Sequence, residues 1–281
     1  MTQRKFATRA ALFDRPAVLF CPANRDSAIS RARACGSDMV ILALAAAVPE
    51  VQMDAAREAA VAALEEDWPM PVGIRVNGSG HGCHSADVAA ACGSNADFLV
   101  LPLVSDPDLV ASVSAKCGRP VAAMIETARG VVNVGEIADV AAMLIVGTND
   151  LAADLRLPAG TGREGMTHCL ERTLLAARAR GIAAYDGVHN RIDDPTGLEE
   201  AARDGHRLGF DGKTLIHPSH IETVQRVFAP SEADVARAQA ILDHTAGKGG
   251  AINFEGEMVE AMHIASAKRL LERAGRHSPE G

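Results

Sequence analysis

Aromatic side chains are scarce: Phe, Tyr and Trp make up 3% of the 281 residues, with one Trp and one Tyr. A core of stacked rings is thereby excluded. Ala, Val, Leu and Ile must fill the interior, a composition suited to helices packed on a parallel sheet. Surplus positive charge is missing as well. The net charge is −8 and no basic run occurs, so neither a nucleic-acid footprint nor attraction to an anionic membrane is expected. No stretch approaches the ~18 uninterrupted apolar residues of a bilayer span, and "MTQRKFATRAALFDRP" lacks the apolar run of a signal peptide. The six cysteines, at 21, 35, 83, 92, 117 and 169, form no CxxC pair. They read as reduced thiols of a cytoplasmic protein. No GxGxxG follows the first apolar run, which argues against an open, doubly wound nucleotide-binding sheet.

What is present is a rhythm. Eight apolar runs of strand length recur, each followed by an amphipathic stretch: 16–23, 38–45, 71–78, 97–104, 120–127, 141–148, 182–189 and 212–219. Helix-like segments such as "MDAAREAAVAALEED" and "LEEAARDGHRLG" separate them, and Gly36, Gly118, Gly181 and Gly209 stand where such helices would close. Eight β–α units in a chain of this length predict an α/β fold, a (β/α)₈ TIM barrel, over residues 1–229. A C-terminal helical extension over 230–281 follows, with a helix capped by Ser231, a glycine-rich hinge at 247–258 and a last helix from Val259.

The chemistry of such a barrel lies at the C-terminal ends of its strands. Strand five ends in Glu126 ("MIETARG") and strand six runs into Asp150 ("VGTNDLAADL"). Neighbouring strands are about 4.8 Å apart, so the two carboxylates can reach one ion. Two oxygen ligands with room for water suit Mg²⁺ or Mn²⁺ better than Zn²⁺. Alternatively Glu126 caps its following helix and Asp150 starts the next. Strand three places Arg75 on the same face, where a guanidinium can hold a carboxylate or pair with a neighbouring acid. His81, Cys83 and His84 in "HGCH" are too tightly spaced for a preformed tetrahedral cage and read as a polar loop. His217, ending strand eight, is placed either in the pocket or in a structural role. One stretch, "DMVILALAAAVPE" (38–50), ends an apolar strand in inert alanines.

The blocks "AVLFCPANR", "RVNG", "MIETARGVVN", "LAADL", "GFDGKTLIHPSHIETV" and "FEGEMVEAMHIASAKRLL", in this order, resemble the citrate lyase β-subunit-like and malyl-CoA lyase-like branch of the HpcH/HpaI aldolase family. The resemblance implies a Mg²⁺-dependent barrel that cleaves or forms a carbon–carbon bond in a 3-hydroxyacyl-CoA ester, exchanging it for an acyl-CoA and a 2-oxo acid. It implies Glu126 and Asp150 as metal ligands and Arg75 as the substrate-binding arginine. Asn24 and Arg25 would lie near the acyl-CoA, and the tail would form a lid offering Glu260 to a neighbouring subunit of a trimer or hexamer. Where relatives end strand two in the acidic "DLEDAV", this chain has "ALAAAV": Ala43, Ala45 and Ala46 replace three carboxylates. Leu103 likewise stands where relatives often carry Lys. A non-catalytic relative that binds an acyl-CoA or 2-oxo acid is the alternative that these departures favour.

Overall fold

The computed structural model describes residues 6–45 and 48–277. Eight parallel strands close into a barrel in sequence order: β1 (Ala17–Pro22), β2 (Met39–Ala43), β3 (Val72–Arg75), β4 (Phe98–Leu101), β5 (Val121–Ile125), β6 (Met143–Val146), β7 (Ala183–Asp186) and β8 (Gly212–Leu215). Closure is made by β1 on β8, with Ala17 opposite Lys213. Each strand lies inside one of the eight apolar runs. The runs are continuous rather than alternating because both faces of a barrel strand are covered, one by the interior and one by the helical ring.

The helices that follow are α1 (Asp26–Ala34), α2 (Met53–Ala63), α3 (His84–Gly93), α4 (Pro107–Cys117), α5 (Ala128–Val132), α6 (Val134–Val140), α7 (Thr148–Asp154), α8 (Thr167–Arg180), α9 (Pro195–Leu208) and α10 (Ile221–Phe228). Left-handed glycines Gly118, Gly181 and Gly209 end α4, α8 and α9, where a residue with a Cβ would be strained.

Side chains at alternate strand positions fill the interior. Val18, Met39, Ile41, Phe98, Val100, Met124, Ile145 and Tyr185 belong to one buried cluster. Gly73 faces the Phe98 ring, and a Cβ there would overlap it. The glycine in β3 thus makes room for a ring whose burial contributes about 1.5–3 kcal/mol. Tyr185 donates its hydroxyl proton to the Leu12 carbonyl, which ties the N-terminal turn to the barrel interior.

Two expectations are corrected. Cys92 and Cys117 form a disulfide that joins α3 to α4, with Cα atoms 4.7 Å apart, so the cysteines are not all reduced. Helices that follow consecutive strands pack side by side in this fold, which brings together two cysteines 25 residues apart in sequence. Cys21, Cys35, Cys83 and Cys169 are unpaired.

The second correction concerns the tail. The chain separates into two compact units, Met1–Val227 and Phe228–Gly281. In the second, α11 (Glu232–Thr245) opens on a capping box of Ser231 and Asp234. The stretch read as a hinge is a hairpin, β9 (Ile252–Phe254) paired with β10 (Glu257–Val259). Its turn residues Glu255 and Gly256 have φ of 53° and 86°, the geometry of a two-residue hairpin loop. Phe254 anchors the hairpin against His244 of α11 at 5.4 Å. The last helix, α12 (Ala261–His277), begins two residues later than Val259.

Candidate active site

Glu126 follows β5 directly and is 1% exposed. Its carboxylate is held on one side only. Oε1 accepts the Leu103 N–H at 2.7 Å and lies 3.9 Å from Arg75 Nη2. Leu103 delivers that N–H from a left-handed conformation, φ 54°, which costs a side-chain-bearing residue about 1–2 kcal/mol. Oε2 is buried with no hydrogen-bond partner. The space beside it exists because residue 147 is glycine: a Cβ there would collide with the Glu126 carboxylate.

Arg75, at the end of β3, has its guanidinium over the Phe20 ring at 5.6 Å, and its Nε is buried without a partner. Asp150 sits in the first turn of α7. Burial is the main cause that raises the Glu126 pKa. Arg75 and the Leu103 N–H oppose that shift, and the neighbouring Asp150 adds to it.

Two cavities meet at these groups. One, of about 350 Å³, is lined by Arg75, Glu126 and Asp150 together with Phe20, Ala43 and Ala45. The other, of about 400 Å³, shares Ala45, Arg75, Glu126 and Asp150 and runs along Asn77, Ser79, His81 and Leu103. The loop that lines it is set by Asp87, fully buried in α3, which accepts from the Asn77 N–H (3.0 Å), Asn77 Nδ2 (2.7 Å) and Arg57 Nε (2.8 Å). His81 Nδ1 accepts the Cys83 N–H at 3.1 Å, and His84 Nδ1 lies 2.7 Å from the Asn77 carbonyl. "HGCH" is therefore a self-bonded loop. Among the described residues no group of three or more His, Cys, Asp or Glu is arranged to hold a metal.

The structure thus brings together Arg75, Glu126 and Asp150, while Asn24, Arg25 and His217 are not among the residues that line the two cavities. Asn24 Nδ2 donates to Gln52 Oε1 at 2.7 Å, and Arg25 is the exposed residue that precedes α1. Of the two roles open to His217 the structure shows the structural one, a cap: its Nδ1 accepts the Ser219 N–H at 3.2 Å and lies 2.7 Å from Ser219 Oγ. Strand periodicity explains this, since Thr214 and Ile216 face the cavity and residue 217 begins the next turn. Glu260 accepts with its carbonyl from the His263 and Ile264 N–H groups and so opens α12. Ala43 and Ala45 line the cavity, whereas Ala46 lies outside the described residues.

Two arrangements had no sequence signal. Leu103 acts through its backbone, which side-chain identity does not report. Asn149, next to Asp150, exchanges two amide hydrogen bonds with Asn190, at 3.0 and 2.7 Å, and so links the start of α7 to the loop after β7.

An oxygen-seeking divalent cation fits this site. Glu126 Oε2 is an orphaned buried acceptor, Asp150 supplies a second carboxylate in the same cavity, and the remaining positions are open to water and ligand oxygens, as Mg²⁺ prefers. Fold and site together define a (β/α)₈ barrel with two neighbouring carboxylates and a facing arginine at its strand ends.

Comparison with known proteins gives the class a family. The model for HpcH/HpaI aldolase/citrate lyase matches residues 16–218, and a model for C–C bond lyases of the TIM-barrel fold matches 165–278. A (3S)-malyl-CoA thioesterase of Cereibacter sphaeroides is 36% identical over 266 residues, covering 92% of this chain and 93% of its own length. The crystal structure of CitE from Mycobacterium tuberculosis with magnesium, acetoacetate and coenzyme A superposes with a TM-score of 0.82 at 35% identity, covering 95% of this chain and 99% of the other. A citrate lyase beta subunit from the same organism, with oxaloacetate and magnesium, gives a TM-score of 0.70 at 36% identity over 79% of this chain and 99% of its own. The chain belongs to the HpcH/HpaI aldolase/citrate lyase family of enzymes. Among the described residues no helix is long and apolar enough to cross a membrane.

Proposed function

We propose that this chain is a Mg²⁺-dependent carbon–carbon lyase for a 3-hydroxyacyl-CoA ester of malyl-CoA or citramalyl-CoA type, interconverting it with an acyl-CoA and a 2-oxo acid. The observation that carries the proposal is the half-satisfied Glu126: a buried carboxylate with one oxygen fixed by Leu103 and the other unpartnered beside Asp150. Relatives of known structure hold magnesium with small oxo acids.

Glu126 and Asp150 hold the cation, which when bound polarises the oxygens of the oxo-acid part. Arg75, with a free Nε in the same cavity, holds the carboxylate of that part and offsets the oxygen charge that develops as the bond breaks. The β-hydroxyl proton leaves, the C–C electrons pass to the thioester side, and that carbon takes up a proton. Asn24 and Arg25 are assigned to the acyl-CoA side on the resemblance of "AVLFCPANR" to the family's first loop. Met258 and Met262 are 64% and 60% exposed on the tail, which supports a trimer or hexamer in which Glu260 serves a neighbouring site in proton transfer. A monomer at micromolar concentration in sedimentation would contradict that assembly.

A second reading is thioester hydrolysis, favoured by the relative named a thioesterase. One experiment separates the two: incubation with malyl-CoA and citramalyl-CoA, with and without Mg²⁺, and chromatography of the products. The lyase releases acyl-CoA and a 2-oxo acid in a Mg²⁺-dependent way. Free coenzyme A with the intact hydroxy acid identifies a thioesterase. Ligand binding with neither product identifies a binding protein.

A further inference from the structure

The two cavities that meet at the cation site differ in what they offer a ligand. The one along Asn77, Ser79 and His81 offers one amide, a hydroxyl, an imidazole and two glycines beside Ala45, Pro102 and Leu103. The other is lined, besides Arg75, Glu126 and Asp150, by Phe20, Pro22, Ala43, Met124, Val188 and Ile216, with Thr148, Asn149 and Thr214 as its uncharged polar side chains. Each of these six apolar residues presents carbon. Among the described residues that line this second cavity, Arg75 is the one cation, and the two acids are Glu126 and Asp150. A ligand carboxylate paired with Arg75 and the bound cation therefore exhausts the positive charge available. A second carboxylate set against Phe20, Ala43, Met124 and Ile216 would meet no second cation, and charge placed on carbon surface without a counter-charge is unfavourable. An alkyl group in the same place would displace water from carbon surface, worth about fourfold in affinity per methylene.

We propose that the 2-oxo acid handled by this site is a monocarboxylate whose apolar substituent of two or more carbons packs on the wall formed by Phe20, Ala43, Met124 and Ile216, and that dicarboxylic oxo acids are disfavoured. The proposal rests on the reading of this site as one for a 2-oxo acid and a CoA ester. Ala43 sets the reach of the wall. It ends β2 opposite Arg75 in register, so a larger side chain there grows into the space beside the guanidinium. The cavity along Asn77, Ser79 and His81 is left to the thioester side of the substrate.

The test is calorimetric binding, in saturating Mg²⁺, of pyruvate, 2-oxobutyrate and freshly dissolved oxaloacetate. The latter two share a four-carbon skeleton and differ in a terminal methyl against a carboxylate. Binding of 2-oxobutyrate is expected to be about fourfold tighter than that of pyruvate, and oxaloacetate to bind at least about tenfold more weakly than 2-oxobutyrate. Ala43→Leu should weaken 2-oxobutyrate by about tenfold or more and leave pyruvate within about threefold, because leucine fills the space that the ethyl group uses. Ala43→Val, a gentler change, should give an intermediate loss with the same selectivity. Oxaloacetate binding tightest, or equal losses for both monocarboxylates in the Ala43 variants, overturns the proposal while leaving the oxo-acid site intact. No binding by any of the three overturns the site reading itself.

Discussion

The barrel mouth has two unlike sides built to one plan. On one side the ends of β3, β5 and β6 carry Arg75, Glu126 and, a few residues on, Asp150. On the other, the end of β2 carries Ala43 and then Ala45, and β1 supplies Phe20 and Pro22. Ala43 and Arg75 are direct partners across the β2–β3 ladder, so they occupy the same layer and face the same cavity. Eight equivalent strand ends give eight equivalent places for chemistry. In this chain one half of the ring carries charged side chains, and the other half presents apolar ones.

The largest effect should come from breaking the charged side. Glu126→Gln keeps the shape and the Leu103 N–H contact but removes the charge, and is expected to lower kcat/KM on citramalyl-CoA at least about 1,000-fold. Circular dichroism should stay native. An activity within tenfold of wild type would mean that this half of the mouth is not where the cation acts.

Gly147→Ala should come next. The added methyl collides with the Glu126 carboxylate, so Glu126 must move. The expected losses are about 1–3 kcal/mol of stability from overpacking and about tenfold in Mg²⁺ affinity, read by thermal melts and titration. Unchanged affinity would show that the position of Oε2 is not critical.

Making the two sides alike is a third test. Ala43→Asp combined with Ala45→Glu puts carboxylates on the inert half. It should raise Mg²⁺ affinity by up to about tenfold and abolish any preference for 2-oxobutyrate over pyruvate. If the fold is retained and neither quantity moves, the alanines do not account for the difference between the halves.

The smallest effect serves as a control away from both sides. His220 is buried, and burial first, then the nearby His189, His217 and Lys213, lowers its pKa below 6.5, against a contribution of the Ile192 backbone. A lowered folded-state value means that the fold favours the neutral ring. Stability is therefore intact above pH 6.5 and falls as pH drops below it, because the unfolded chain takes up the proton first. His220→Leu should flatten that part of the Tm–pH curve and leave Mg²⁺ affinity at pH 7.5 unchanged.

The barrel was legible in the sequence because burial on both faces writes each strand as an unbroken apolar run, as in "DFLVLPLV" and "AAMLIVGT". The charged half was legible for a related reason: Arg75, Glu126 and Asp150 are polar residues at the points where such runs stop. What stayed hidden is what residue identity does not encode. Leu103 holds Glu126 through a backbone N–H. The Cys92–Cys117 bond joins helices adjacent in space but 25 residues apart in sequence. The glycines of the tail mark a hairpin turn as readily as a hinge, and Phe254, buried against His244, marked the difference. His217 stayed undecided between pocket and structural role because one residue beyond a strand end is enough to change the face, and it caps the turn after β8.

A Mg²⁺ titration decides whether Glu126 and Asp150 together hold the cation. Calorimetry at pH 7.5 would compare the wild type with Glu126→Gln/Asp150→Asn, after confirming that both have the same circular dichroism spectrum. Saturable one-site binding by the wild type and none by the double variant is the predicted result. Equal Mg²⁺ affinity in the two proteins would contradict it.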